Sequence, residues 1–231
     1  MPTLRDHGVP TDNRLLAALP REEYERLSPH LESFHLTPGK ILYNAGEAVR
    51  HAYFPKSGVV SLLSITEEGR TIEVGMIGNE GMVGIPIILR SDLAPYQVVV
   101  QLAGDALRVR GAALRAEFNR GGGLQDLLLR YTHSLLIQVT QAAACNRFHT
   151  VQERLCRRLL VSRDRVQSDT LQLTQESLSH MLGVPRTSVT MIAGDLQKEG
   201  LIRCGRGRIT ILDRALLEAA SCECYERARG D

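Results

Sequence analysis

The stretch from Leu171 to Leu212, LQLTQESLSHMLGVPRTSVTMIAGDLQKEGLIRCGRGRITIL, constrains this chain more than any other. Leu171 and Leu173 alternate with polar neighbours, as a short strand would. Thr174 makes a good N-cap, because its hydroxyl can accept from the free N–H groups of the next turn. The spacing then predicts a two-turn helix over Gln175 to Leu182, with Leu178, Met181 and Leu182 on its apolar side. Gly183 stops that helix. Pro185 suits the first turn of the next one, where a missing N–H costs nothing. This second helix runs from about Pro185 to Glu199, with Val189, Ile192, Ala193 and Leu196 facing inward at helical spacing. Gly200 closes it. Leu201, Ile202, Ile209, Ile211 and Leu212 supply two short strands around the Gly-rich turn Cys204-Gly205-Arg206-Gly207. Helix, tight turn, helix and hairpin make a winged helix-turn-helix.

The outer face of the second helix carries Arg186, Thr187, Ser188, Thr190 and Met191. They sit at its N-terminal end, the end that such a helix presents to base edges in the major groove. Arg186, Lys198, Arg203, Arg206 and Arg208 face only Asp195 and Glu199 in this segment, so the local charge is basic. Arg206 and Arg208 in the wing, with Thr174, Gln175 and Ser188, are the expected phosphate contacts of a double-stranded DNA partner. A small helical domain with a solvated charged face is the alternative. Caps, period and wing arginines together favour DNA.

A chain of 231 residues suits one large or two small domains. Its formal net charge of +2 decides nothing about nucleic acid; local clustering does. The N-terminus, MPTLRDHGVPTDNR, is polar, so no secretory signal is expected. The longest uncharged run, Tyr131 to Asn146, is sixteen residues and too polar to span a bilayer. Five scattered cysteines suggest a reducing compartment rather than a disulfide framework. The expectation is a cytoplasmic protein without a membrane partner.

Residues 12–34 read as two short amphipathic helices separated by Pro20 and ended near Pro29. From Leu36 to Val109 turn signals recur mostly every eight to twelve residues, the rhythm of a β domain of about eight strands. Val59–Ile65 and Thr71–Ile77 form its clearest hairpin. Gly111–Asn119 is a short helix and Gly121-Gly122-Gly123 a hinge. The longest helical pattern follows, with one apolar seam of Leu128, Tyr131, Leu135, Ala142 and Cys145. A second seam holds Leu129, Leu136, Val139 and Ala143. A helix apolar on two sides needs two partners: the β domain, and the same helix of a second subunit. Leu128, Tyr131, Leu135, Leu136, Val139 and Ala142 are the expected dimer contacts. A helix buried inside a monomer is the alternative. Val151 to Val161, with Arg154, Arg157 and Arg158, then opens the third unit. Residues 1–123, 124–149 and 150–231 are the expected sensor, dimerisation helix and DNA-binding domain.

In this order the segments LLAALPREEYERL, YFPKSGVVSLL, GNEGMVG and LTQESLSHMLGVPRTSVTMIAGDLQKEGLI resemble the Crp/Fnr family of bacterial transcription regulators. The resemblance covers nearly the whole chain. It implies an α+β fold: a cyclic-nucleotide-binding-like β barrel, a long helix making a homodimer, and a C-terminal winged helix-turn-helix. It also implies recognition of a two-fold symmetric site and contact with RNA polymerase. By position, the family's base-reading residues fall on Arg186, Thr187, Thr190 and Met191. Thr187 and Met191 depart from the glutamate and arginine of the best-known members, so their half-site does not carry over.

Cyclic-nucleotide-binding members use a Gly-Glu pair for the ribose and an Arg-Ser or Arg-Thr pair for the phosphate. Aligned on Gly84, the glutamate position holds Ile85; counting back from the final strands puts Pro95-Tyr96 at the arginine-serine position. An isoleucine cannot accept a hydroxyl hydrogen bond and a proline cannot neutralise a phosphate. Arg90-Ser91 could restore the second pair under a different register. Any effector pocket is therefore expected around Gly84, Ile85, Pro86, Arg90, Pro95 and Tyr96, apolar and not built for cyclic nucleotide. The N-terminal cysteine cluster of the family's oxygen-sensing branch is absent, since the first cysteine is Cys145. Cys222 and Cys224 read as chemically silent against a redox role, and no cofactor or metal is expected. Enzyme motifs are missing. A sequence-specific regulator is the leading reading; a ligand-responsive module whose winged helix contacts a protein is the alternative.

Overall fold

The computed structural model describes residues 11–91 and 93–229; the first ten residues of the polar N-terminal stretch lie outside the described residues. Two short helices, α1 (Arg14–Ala17) and α2 (Arg21–Leu27), open the chain. Asn13 caps α1 by accepting from Leu16 N at 3.1 Å, and its fully buried amide donates to the Pro55 and Gly81 carbonyls. One side chain thus ties the N-terminal helix to the β domain behind it.

Seven strands follow: β1 (Glu32–Leu36), β2 (Ile41–Tyr43), β3 (His51–Pro55), β4 (Val59–Ile65), β5 (Thr71–Ile77), β6 (Gln97–Leu102) and β7 (Gly104–Arg110). They make two antiparallel sheets, in the orders β1-β7-β3 and β2-β6-β4-β5. The result is a barrel-like roll and not a closed barrel. The β4–β5 hairpin falls where the alternation of Val59–Ile65 and Thr71–Ile77 places it. The first strand starts earlier than the turn rhythm indicates, at Glu32 rather than Leu36, and among the described residues the strands of this domain number seven rather than about eight. Glu32–Leu36 has little β-branched content; its partner β7, paired from Glu32↔Arg108 to Leu36↔Gly104, completes its hydrogen bonds.

Helix α3 (Gly111–Phe118) leads through Gly121 and Gly122, both at positive φ, into the 26-residue helix α4 (Gly123–Phe148). The Glu23 carboxylate, from α2, accepts from the free N–H groups of Gly123 and Leu124 at 2.8 and 2.7 Å. An anion there complements the helix dipole and replaces a local cap. Helix α5 (Val151–Val166) begins at the Thr150–Glu153 capping box and runs one turn further than the Val151–Val161 pattern suggests. Strand β8 (Thr170–Leu171), helices α6 (Gln175–Leu182) and α7 (Arg186–Lys198), strands β9 (Ile202–Gly205) and β10 (Arg208–Ile211), and helices α8 (Arg214–Ala219) and α9 (Cys224–Arg229) complete the chain.

One apolar core fills the roll and includes Leu124 and Leu128 of α4. A second fills the C-terminal domain but also takes in Val59, Met76 and Leu102 from the roll. The two domains therefore share buried surface. Among the described residues no helix is long and apolar enough to cross a membrane.

Candidate nucleic-acid interface

Thr174 caps α6 in a reciprocal box with Ser177, and Gly183 ends it at φ +66°. Glycine is needed there twice over: the left-handed backbone disfavours other residues, and a Cβ would stand 3.2 Å from Ile72 Cδ1. Pro185 is the N-cap of α7, so that helix starts one residue after the proline. Val189, Ala193 and Leu196 are buried, which turns Arg186, Thr187, Thr190 and Met191 to solvent. Met191 keeps 64 % of its surface exposed. A methionine so exposed on a well-packed helix contributes nothing to this chain's core and leaves an apolar atom free for contact.

These four residues belong to a continuous surface. Thr190 Oγ1 donates to Gln175 Oε1 at 2.7 Å, at the N-terminus of α6. Thr174 beside it approaches Gly207, in the wing between β9 and β10. Arg206 and Arg208 flank that glycine and are exposed, as is Arg203. Ser188 is half-buried in the first turn of α7. Arg186 lies 3.7 Å from Glu176, an exposed pairing of little energy that a phosphate or base can displace. The structure therefore brings Arg186, Thr187, Thr190, Met191, Thr174, Gln175, Arg206 and Arg208 onto one face.

Behind that face the arginines behave differently. Arg158 of α5 keeps only 2 % exposure and pairs with Glu73 of β5 at 2.9 Å. It also donates to Ser61, which in turn donates to Glu73, and its Nε points at Met181 Sδ. Burial lowers the pKa of this guanidinium, and the Glu73 charge opposes that shift. Arg165 pairs with Glu80 at 2.8 Å, and Thr71 donates to the His180 carbonyl. Arg154 donates to the Leu182 carbonyl at the end of α6. The sequence shows only a basic run at the start of α5; the structure makes Arg158 of that run, with Arg165 further along the helix, part of the joint between roll and winged helix.

The six residues expected around an effector differ in exposure. Ile85, Pro86 and Ile87 make a buried 3-10 turn within the core of the roll. Gly84 precedes it at φ +117°, where a Cβ would meet Ala52 Cα at 2.9 Å. Arg90 and Pro95 are exposed, and Arg90 has φ +58°. Tyr96 is half-buried, and burial pushes its hydroxyl up to about 12. Two cavities of about 420 and 460 Å³ lie elsewhere, around Arg50 and His51, and none of the six lines either. Inside the roll, the buried Tyr43 hydroxyl has no hydrogen-bond partner among the described residues.

Helix α4 shows its two seams on separate sides. Leu128 and Ala142 are buried, Leu135 packs on the core of the roll, and the Tyr131 hydroxyl donates to the Met82 carbonyl at 2.9 Å. Within the chain Leu128, Tyr131 and Leu135 pack against the roll, Tyr131 and Leu135 remaining half-buried, and Ala142 is buried. Leu129, Leu136 and Ile137 remain 49 %, 61 % and 46 % exposed, with half-buried Val139 and exposed Ala143 alongside. Leu129, Leu136 and Ala143 repeat every seven residues, the period of a coiled-coil seam.

Sequence spacing also leaves Cys145, His149, Cys222 and Cys224 apart. In the structure one ligating atom from each lies within 4.8 Å of every other. Three of the four are buried, at the point where α4 ends and the C-terminal tail returns. The only sequence signals are the i, i+4 pair Cys145/His149 and the Cys-x-Cys pair 73 residues after it, neither of which points to the other.

Comparison with known proteins gives two family matches. Residues 33–120 match the model described as the cyclic nucleotide-binding domain, and residues 153–220 the one described as the Crp-like helix-turn-helix domain. The global nitrogen regulators of Synechocystis sp. and Synechococcus elongatus are 23 % and 25 % identical over 217 and 222 residues. Each alignment covers 89 % of this chain, and 95 % and 96 % of the respective relatives. Among solved structures, a transcriptional regulator of the Crp/Fnr family from Eubacterium rectale superposes with a TM-score of 0.72 at 21 % identity. It covers 90 % of this chain and 98 % of its own. FixK2 from Bradyrhizobium japonicum gives 0.70 at 15 % identity, with 83 % and 98 % coverage.

Proposed function

Because this chain belongs to the Crp/Fnr family of transcription regulators, we propose that it binds a two-fold symmetric duplex as a homodimer, without using cyclic nucleotide. The family is one of DNA-binding regulators and not of enzymes. The observation that carries the reading is the single exposed face running from Arg186 through Thr190 and Gln175 to the wing glycine Gly207. Arg186, Thr187, Thr190 and Met191 read base edges from the N-terminal end of α7. Arg206 and Arg208, with Thr174, Gln175 and Ser188, hold the sugar–phosphate backbone.

Dimerisation is assigned to the open seam of α4, centred on Leu136 and flanked by Leu129, Val139 and Ala143. Such an exposed apolar stripe on a 26-residue helix is covered most economically by its own copy, packed in parallel. The sensor is assigned no cofactor and no cyclic nucleotide, because buried Ile85 and exposed Pro95 occupy the two anchor positions. Contact with RNA polymerase and a cytoplasmic location follow from the regulator role and belong to the same proposal.

Selection of bound duplexes from a random pool tests it directly. The expected product is an enriched inverted repeat whose affinity falls steeply with salt, as released counterions require. Absence of any enriched sequence, with no duplex affinity at low salt, would leave the winged helix as a protein-contact module.

A further inference from the structure

We propose that Cys145, His149, Cys222 and Cys224 form a tetrahedral site for one thiophilic divalent cation of the zinc class. The cation would pin the C-terminal tail to the end of α4. The donor set, three sulfurs and one imidazole, is that of closed structural zinc sites. The spacing agrees as well. A single ion with Zn–S bonds of about 2.3 Å and a Zn–N bond of about 2.0–2.1 Å holds tetrahedral sulfurs about 3.8 Å apart and sulfur and nitrogen about 3.6 Å apart. Cys145 Sγ lies 3.7 Å from Cys222 Sγ, and Cys224 Sγ lies 3.6 Å from His149 Nδ1. An iron–sulfur cluster puts several metal atoms between its ligands and would spread them further apart than this.

The groups around the four ligands fit a metal too. With Nδ1 turned to the sulfurs, the other ring nitrogen of His149 lies 3.1 Å from a Glu223 carboxylate oxygen. That contact fixes ring and tautomer, as an outer carboxylate does for a ligating histidine. The Gln141 amide donates to Cys224 Sγ at 2.8 Å, and Arg227 holds the Gln141 carbonyl at 2.8 Å. A thiolate benefits from such a donor more than a thiol does. Three thiolates with a divalent ion leave one net negative charge. Arg154 and Arg157 lie within electrostatic reach of Cys145, and the Nε of each has no hydrogen-bond partner among the described residues.

Location gives the site its consequence. Cys145 and His149 end α4, one residue before Thr150 caps α5. Cys222 and Cys224 open α9, which packs on both α4 and α5. An ion here sets the angle between the long helix and the winged-helix domain. That consequence, though not the binding itself, rests on the regulator reading.

The test uses the full chain, purified under reducing conditions and freed of metal by a chelator. Titration with Co²⁺, followed by displacement with Zn²⁺, should give one equivalent per chain. The spectrum should carry tetrahedral d–d bands and thiolate-to-cobalt charge transfer at three-sulfur intensity. Cys224→Ser should reduce that charge transfer by about a third or abolish uptake. Glu223→Gln, on an exposed side chain that leaves the fold intact, should weaken affinity about 10–100-fold. Metal should also slow proteolysis at Phe148, which is exposed at the α4–α5 junction. Reduced wild-type chain that takes up no Co²⁺ overturns the proposal. So does uptake unchanged by both Cys224→Ser and His149→Ala. A metal-loaded protein that binds no duplex would leave the site standing and refute only the regulator reading.

Discussion

Two sets of arginines in the C-terminal domain have the same charge and opposite circumstances. Arg186, Arg206 and Arg208 project into solvent from the helix-turn-helix face. Arg158 and Arg154 lie buried, one against Glu73 and Ser61, the other on a backbone carbonyl. A buried guanidinium is tolerated only where acceptors surround it, so its role is fixed by its own chain. An exposed one has weak partners at home and is available to something else. Burial, and not charge, separates the residues that hold the domain from those proposed to meet DNA.

The largest effect should come from breaking the buried set. Glu73→Ala strands the Arg158 guanidinium and should cost about 3–5 kcal/mol in denaturant unfolding, whereas pairing it with Arg158→Met should recover most of that loss. Additive losses in the double variant would mean that the two residues do not interact.

The two seams of α4 give the next contrast. Leu136→Lys should yield monomers in sedimentation while the chain keeps its unfolding midpoint, removing about 2 kcal/mol or more of association energy. Leu135→Lys, one residue away but facing the core of the roll, should lower the midpoint instead. The same outcome for both variants would erase the distinction between the seams.

Within the exposed set, Arg186→Ala should cost about 1–3 kcal/mol per half-site on the selected sequence and little on random DNA. Arg206→Ala and Arg208→Ala should weaken both duplexes alike, each lowering the salt slope by about one unit. Equal losses on both duplexes for Arg186→Ala would make it a phosphate contact. The smallest effect is expected at Arg90, exposed on the roll. Calorimetry should detect no micromolar cyclic AMP binding, and Arg90→Ala should change nothing. Micromolar heat lost in that variant would restore the Arg90-Ser91 pair as a phosphate anchor.

Much of this was legible in the chain itself. The β4–β5 hairpin and helices α3, α6 and α7 lie where alternation, helical period, Thr174, Gly183 and Gly200 place them, because these signals act within a few residues. The outer face of α7 was legible for the same reason: burying Val189, Ala193 and Leu196 leaves Arg186, Thr187, Thr190 and Met191 nowhere to point but outward. Strand β1 was misplaced, since its strand character comes from β7. The packing of α4 was half legible; periodicity gives two apolar sides of the helix but not which one the roll covers.

The amino-acid sequence therefore determined the local elements, the winged helix-turn-helix and the order of β domain, long helix and winged helix, all of which rest on short-range caps and periodicity. Only the tertiary structure decided that Arg158 meets Glu73 across 85 positions, that Tyr131 turns inward to Met82, and that Cys145 and His149 meet Cys222 and Cys224. Each of those contacts joins residues with no local signal for one another, and only the packed cores bring them within bonding distance.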